Sequence, residues 1–199
     1  MCESPPRVWR GDPRFRPPLT WARPRAWLHL RMLSHPVVVS WFDRQFPHGP
    51  TPAQVDGWRA IAAGEDTLIA APTGSGKTLA AFLVCIDQLL SRILEPETSG
   101  IQVLYVSPLR ALAVDIHHNL ERPLQQMQAL AVERGQTLPD LKVALRTSDT
   151  PASKRAQLWK KPPQILVTTP ESLYLLLTAS RHPATSLWSA TISRAAFCA

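Results

Sequence analysis

The sequence predicts an α/β fold, a parallel sheet flanked by helices, on two main observations. Short, continuously apolar runs alternate with stretches of helical period, and a glycine-rich turn joins one such run to a buried helix. Composition agrees: of 199 residues 45% are hydrophobic and 19% charged, the balance of a globular chain. That length suits one ordinary domain. No run approaches the roughly 18 apolar residues of a membrane span, and the start has no apolar stretch of signal-peptide type, so the expectation is a cytoplasmic protein with no membrane partner. Cys2, Cys85 and Cys198 are odd in number and lack the spacing of metal or redox pairs, so they are expected as free thiols, Cys85 buried on a helix.

The net charge of +7 is unevenly placed. Residues 1–32 hold seven arginines against Glu3 and Asp12, a balance of +5, and the other 167 residues carry only +2. The same stretch has six prolines and neither helical nor strand period, which predicts a disordered arm. A nucleic-acid-binding tail, a transit peptide and sequence upstream of a natural start at Met32 all compete for it. Ser4 is its only serine, which argues against a transit peptide and favours the start at Met32.

From residue 37 each element can be justified in turn. VVVSWFDRQF reads as an amphipathic helix, broken by Pro47, Gly49, Pro50 and Pro52 before a second helix, AQVDGWRAIAAG, that ends at Gly64. DTLIAA (66–71) is a short apolar run expected as a strand. Beyond the glycine-rich turn, Phe82, Ile86, Leu90 and Ile93 recur at helical spacing, with Leu79, Leu83 and Leu89 widening the stripe. IQVLYVS is the next strand, and RALAVDIHHNL starts a long helix that Pro123 should interrupt or bend. LKVALRT, a helix over 152–159, QILVTT and a helix over 170–179 complete the series. Strands buried on both faces imply a parallel sheet covered on both sides. The chain is thus expected as an arm (1–32), a domain (33–180) and an irregular tail (181–199).

The turn APTGSGKT (71–78) follows the phosphate-loop pattern GxxxxGK[ST] with alanine at its first position. Glycine leaves backbone N–H groups bare to converge on phosphate oxygens, and the following helix adds its positive end. Thr73, Gly74, Ser75 and Gly76 would cradle a triphosphate, Lys77 would reach its outer phosphates, and the Thr78 hydroxyl would sit on Mg2+. Lys77 and Thr78 are therefore the candidate catalytic residues, with a nucleoside triphosphate and Mg2+ as ligands. Position 71 ends the strand, where a small side chain can replace glycine.

That loop fixes the ligand class and little else. Gln54 lies 23 residues before Lys77, and its amide could bond both N6 and N7 of adenine, although a glutamine at an exposed helix start is the commoner case. SPLRALA (107–113) could set Pro108 and Arg110 against a nucleic-acid phosphate, or be a simple strand-to-helix turn. RTSDTP (146–151), with Thr150, and TTPES (168–172), with Thr169, occupy the same place after later strands, where Ser, Thr and Asp also cap helices everywhere. Loops at the carboxyl ends of parallel strands form one crest, where open α/β sheets bind ligands.

Taken in order, TPAQ, APTGSGKT, SPLRALA, TSDTP and TTPES resemble the motifs of superfamily 2 DEAD/DEAH-box helicases, and most closely the large helicase-related (Lhr) family, over about residues 33–180. The resemblance implies the first lobe of RecA-like P-loop NTPase fold. It also implies ATP-driven 3′ to 5′ movement on single-stranded DNA, with unwinding of duplexes or DNA–RNA hybrids. Gln54 would read adenine, and Arg110, Thr150 and Thr169 would touch the strand. Ser148 departs from the glycine usual there. The family's Asp-Glu pair, which holds Mg2+ and orients the attacking water, is not found: no acidic residue follows Glu171, and the one adjacent acidic pair, Glu65-Asp66, precedes an apolar run. The chain alone is therefore expected to be neither a competent helicase nor an efficient ATPase, with an incomplete sheet exposing apolar surface beside the phosphate-loop strand. Two other readings stay open, a non-catalytic nucleotide or nucleic-acid binding module and another phosphate-loop enzyme such as a small-molecule kinase. His117 and His118, adjacent on a helix, are expected to face apart and make a poor metal pair.

Overall fold

The computed structural model describes residues 33–72, 74–92 and 100–178. The arm, Thr73, and the tail from residue 179 with Cys198 lie outside them. The chain divides into two compact units, Met1–Gln88 and Leu89–Ala199. No helix among the described residues is long and apolar enough to cross a membrane.

The first unit is built on helices α1 (Pro36–Gln45), α2 (Pro52–Ala62) and α3 (Lys77–Arg92), the last crossing the division between units. Proline in the first turn of α1 and of α2 fits positions where no helical N–H partner is needed. Val37, Val38, Trp41 and Phe42 bury one face of α1. Phe42 meets Trp58 of α2 edge to face at 5.2 Å and stacks on Phe46 at 4.8 Å. Residues 80–87 of α3 are buried without a break, so this helix is covered all round. Cys85 lies there as expected; burial pushes its thiol up to about 12, which keeps it protonated and inert at neutral pH.

The carboxylate of Asp87, also on α3, is 2% exposed. Ser34 N–H donates to its Oδ1 and Oδ2 at 3.0 and 2.9 Å, Ser34 Oγ to Oδ2 at 3.0 Å, and His35 N–H to Oδ1 at 2.8 Å. This clamp fixes the entry to α1, where His35 Nδ1 also accepts the Val37 N–H at 3.3 Å. Capping requires a neutral imidazole, and burial, outweighing the pull of Asp87, holds the His35 pKa below its ordinary value.

The expected strand at 66–71 does not form. A strand is a relation between two segments, and no described segment of the first unit pairs with this one. Exposure alternates along it: Thr67, Ile69 and Ala71 are half-buried, while Leu68 is 53% exposed. The inner side packs on α2, and a Cβ on Gly57 would stand 2.7 Å from Ile69 Cδ1, so glycine there permits the close approach. The apolar run was expected to have both faces covered, and only one is.

The second unit holds β1 (Val103–Val106), α4 (Arg110–Glu133), β2 (Val143–Arg146), α5 (Ala152–Lys160), β3 (Ile165–Thr168) and α6 (Pro170–Thr178). Its three strands are parallel in the order β1-β3-β2, with Leu104, Leu166 and Ala144 in one row. The central strand β3 is buried on both faces, as its uninterrupted ILVT requires. Leu176 of α6 joins Ile101 and Leu166 in a core against Leu104 and Ala144. Helix α4 packs on β2 and β3. Of the two expected outcomes at Pro123, interruption does not occur: the helix runs on through it. The buried stripe Ile116, Leu120, Leu124, Met127 and Ala131 runs past the proline at helical spacing, and that packing outweighs the one hydrogen bond proline cannot donate.

Candidate functional site

In the first unit the phosphate loop runs directly into α3. Gly74 and Gly76 have φ of 82° and 79°, backbone that side chains with a Cβ rarely adopt. The first helical bond, Ala80 N–H to Gly76 carbonyl at 2.9 Å, starts at the second glycine. Lys77 Nζ donates to the carbonyls of Ala71 and Pro72, at 2.5 and 3.1 Å, so the ammonium is folded onto its own loop. Thr78 is exposed in the first turn of α3. Thr73 falls outside the described residues.

Gln54 is 3% exposed rather than free at a helix start. Its Oε1 accepts the Thr51 N–H at 2.9 Å, while Thr51 Oγ1 accepts the Gln54 N–H at 3.3 Å, a reciprocal cap on α2. The other end of the amide, Nε2, donates to the Gly76 carbonyl at 3.4 Å, and Thr51 Oγ1 donates to the Ser75 carbonyl at 3.1 Å. Thr51 is the site residue that sequence reasoning missed. Its signal is the Thr-x-x-Gln spacing of a capping box.

Gly76→Ala is expected to lower stability by about 1–2 kcal/mol through backbone strain. Its added Cβ would also stand 2.4 Å from Gln54 Nε2, pushing that amide off the loop. Gly74→Ala is the control, because a Cβ there meets nothing within 4 Å and only the backbone effect remains. Urea unfolding of both variants checks the difference, and equal losses would sink the contact with Gln54.

In the second unit the loops after β1, β2 and β3 leave one edge of the sheet, as parallel pairing demands. Pro108 and Leu109 are exposed, Leu109 at 65%. Arg110, first in α4, forms an ion pair with Asp149 of the loop after β2. Thr150 Oγ1 accepts the Thr147 N–H at 2.9 Å and so closes that loop, and Ser148 Oγ donates to Asp149 Oδ1 at 3.3 Å. Thr169 is 5% exposed and its carbonyl accepts the Leu173 N–H at 2.9 Å, at the start of α6. Arg146, at the end of β2, is only 8% exposed. Burial first, and the like charge of Arg155 second, hold its guanidinium below the ordinary arginine value.

The adjacent histidines do not diverge. His117 and His118 place Nδ1 3.7 and 3.6 Å from the same Glu121 Oε2, being four and three residues before it on α4. The two imidazoles, their planes 80° apart and their centroids 5.7 Å apart, meet at one carboxylate.

A glycine-rich loop opening a buried helix, in a chain that also builds a parallel sheet, defines a phosphate-loop α/β protein. Residues 51–195 match the family model for the DEAD/DEAH box helicase, and the chain belongs to that family. Over 148 residues it is 51% identical to the Lhr helicase/probable uracil glycosylase of Mycolicibacterium smegmatis, covering 74% of this chain and 10% of that protein. Over 145 residues it is 46% identical to the ATP-dependent helicase Lhr-Core of Methanocaldococcus jannaschii, covering 72% and 17%. Its fold matches the structure of Mycobacterium smegmatis helicase Lhr bound to ssDNA and AMP-PNP with a TM-score of 0.67 and 48% identity, over 74% of this chain and 18% of that one. The resemblance to Lhr proteins drawn from the motifs is therefore borne out. The DEAD-box helicase Mss116, at 22% identity and a TM-score of 0.61, shares the fold. The chain thus spans between about a tenth and a fifth of the length of such relatives.

Proposed function

We propose that this chain is the ATP-binding, strand-contacting part of an Lhr-like helicase, in which nucleotide turnover drives 3′ to 5′ movement along single-stranded DNA. The observation that carries the nucleotide half is the buried Ser75 Oγ, which has no hydrogen-bond partner within the phosphate loop. An orphaned hydroxyl beside two left-handed glycines and a helix start suits an anion held by converging N–H groups. In this reading Thr73 to Gly76 hold the triphosphate, Lys77 leaves its two carbonyls for the outer phosphates, and Gln54 reads adenine from the loop it braces. Mg2+, held through Thr78, supplies charge neutralisation on the phosphates when bound.

For the strand, Pro108, Arg110, Thr150 and Thr169 sit at the carboxyl ends of paired strands, where backbone-tracking contacts belong. Arg146 supports the same reading, since the charged neighbour it feels is another cation and an anion would relieve both. The relative solved with ssDNA and AMP-PNP points the same way. Efficient hydrolysis by this chain alone is not expected. Its one adjacent acidic pair, Glu65-Asp66, is exposed ahead of the phosphate loop and not at a strand end.

Titration with a fluorescent ATP analogue, with and without Mg2+, followed by single-turnover hydrolysis in the presence of single-stranded DNA, tests this. Expected are Mg2+-dependent binding and little turnover. DNA-stimulated hydrolysis would overturn the proposed incompetence, and no nucleotide binding at millimolar analogue would sink the ATP site itself.

A further inference from the structure

We propose that His117, His118 and Glu121 form a binding site for one divalent transition-metal ion of the zinc class on α4, separate from the nucleotide's Mg2+. Their ligand atoms all lie within 4.8 Å of one another. Tetrahedral coordination with bonds of about 2.0–2.1 Å sets neighbouring ligand atoms roughly 3.3–3.4 Å apart. The two histidine-to-carboxylate separations, 3.7 and 3.6 Å, are already close to that edge. Only the spacing between imidazoles must shrink. His118, with 69% of its side chain exposed, is free to rotate towards His117, which at 18% is fixed by its surroundings.

Without an ion, this arrangement is two imidazoles competing for one carboxylate oxygen. A metal ion satisfies both nitrogens and the carboxylate at once. Two imidazoles and a single carboxylate favour zinc, nickel or copper over the oxygen-seeking Mg2+ and Ca2+. Three protein ligands leave a fourth position for water, and room exists for it: the same residues line a cleft of about 1120 Å³ shared with β2, the loop after it and α5. The other charged residues lining that cleft are Asp140, Lys142, Asp149, Lys154, Lys160 and Lys161.

The test uses the full chain with Cys2 and Cys198 changed to serine, so that thiols do not compete. Zn2+ is titrated against a chromophoric chelator, and Co2+ against its visible absorption. One equivalent of metal is expected, with at least a ten-fold loss of affinity in His118→Ala and in Glu121→Gln and none in His48→Ala. Both lossy variants alter half-exposed or exposed side chains, so unchanged circular dichroism should accompany the loss. Binding that is absent, or equal in all four proteins, overturns the site.

Discussion

Lys77→Ala is expected to weaken ATP binding at least about 100-fold, with the far-ultraviolet circular dichroism unchanged. Among the described residues the ammonium bonds the carbonyls of Ala71 and Pro72, two neighbours in its own turn. Those carbonyls lie in a half-exposed to exposed segment where water can replace the lysine. Losing the side chain therefore costs the empty protein little. With a triphosphate present, the same group would make charge-assisted bonds to phosphate, worth about 1.5–3 kcal/mol each, and two of them account for the loss. Isothermal titration of ATP into both proteins measures it. A change of less than three-fold would mean that the lysine stays on its carbonyls and the loop holds phosphate by backbone alone.

Asp87→Ala is expected to destabilise the first unit by about 3 kcal/mol, the largest loss from any single polar substitution considered. Four hydrogen bonds from Ser34 and His35 converge on this one buried carboxylate across more than fifty residues of sequence. Its removal takes the shared carboxylate acceptor from two backbone N–H groups at the entry of α1 and opens a hole beside α3. Asp87→Asn, which keeps the shape and one acceptor oxygen, should lose about half as much. Urea denaturation followed by tryptophan fluorescence, reporting through Trp41 and Trp58, separates the two. Equal loss in both would point to charge rather than hydrogen bonding as the source.

Much of this fold could be read in advance because its signals are local. The runs VLYV and ILVT carry their own burial pattern, and the phosphate loop carries its glycines at fixed spacing. The errors lie where a property belongs to a relation between segments. Residues 66–71 have a strand's composition, but a ladder needs a neighbour, and no described segment of the first unit supplies one. Pro123 has a breaker's chemistry, yet the helix runs through it, held by five apolar residues spread over about four turns. His117 and His118 diverge at the backbone and still converge at their tips, because Glu121 lies within reach of both. Gln54 was found by its spacing from Lys77, while its actual partners, Thr51 and Gly76, depend on how α2 meets the loop. Asp87 carried no motif at all: a lone acid in a buried helical stripe signals an unseen partner and does not say which.

The Gln54 amide has a further consequence. It closes the first turn of α2 with one end and holds the carbonyl from which α3 starts with the other. Two helix beginnings thus hang on a single planar group only a few ångströms across. Any motion of the loop that draws the Gly76 carbonyl away pulls on the cap of α2 at the same time. Fraying of one helix and reshaping of the loop are then not independent events but one opening, and the three glutamine χ torsions act as its hinge.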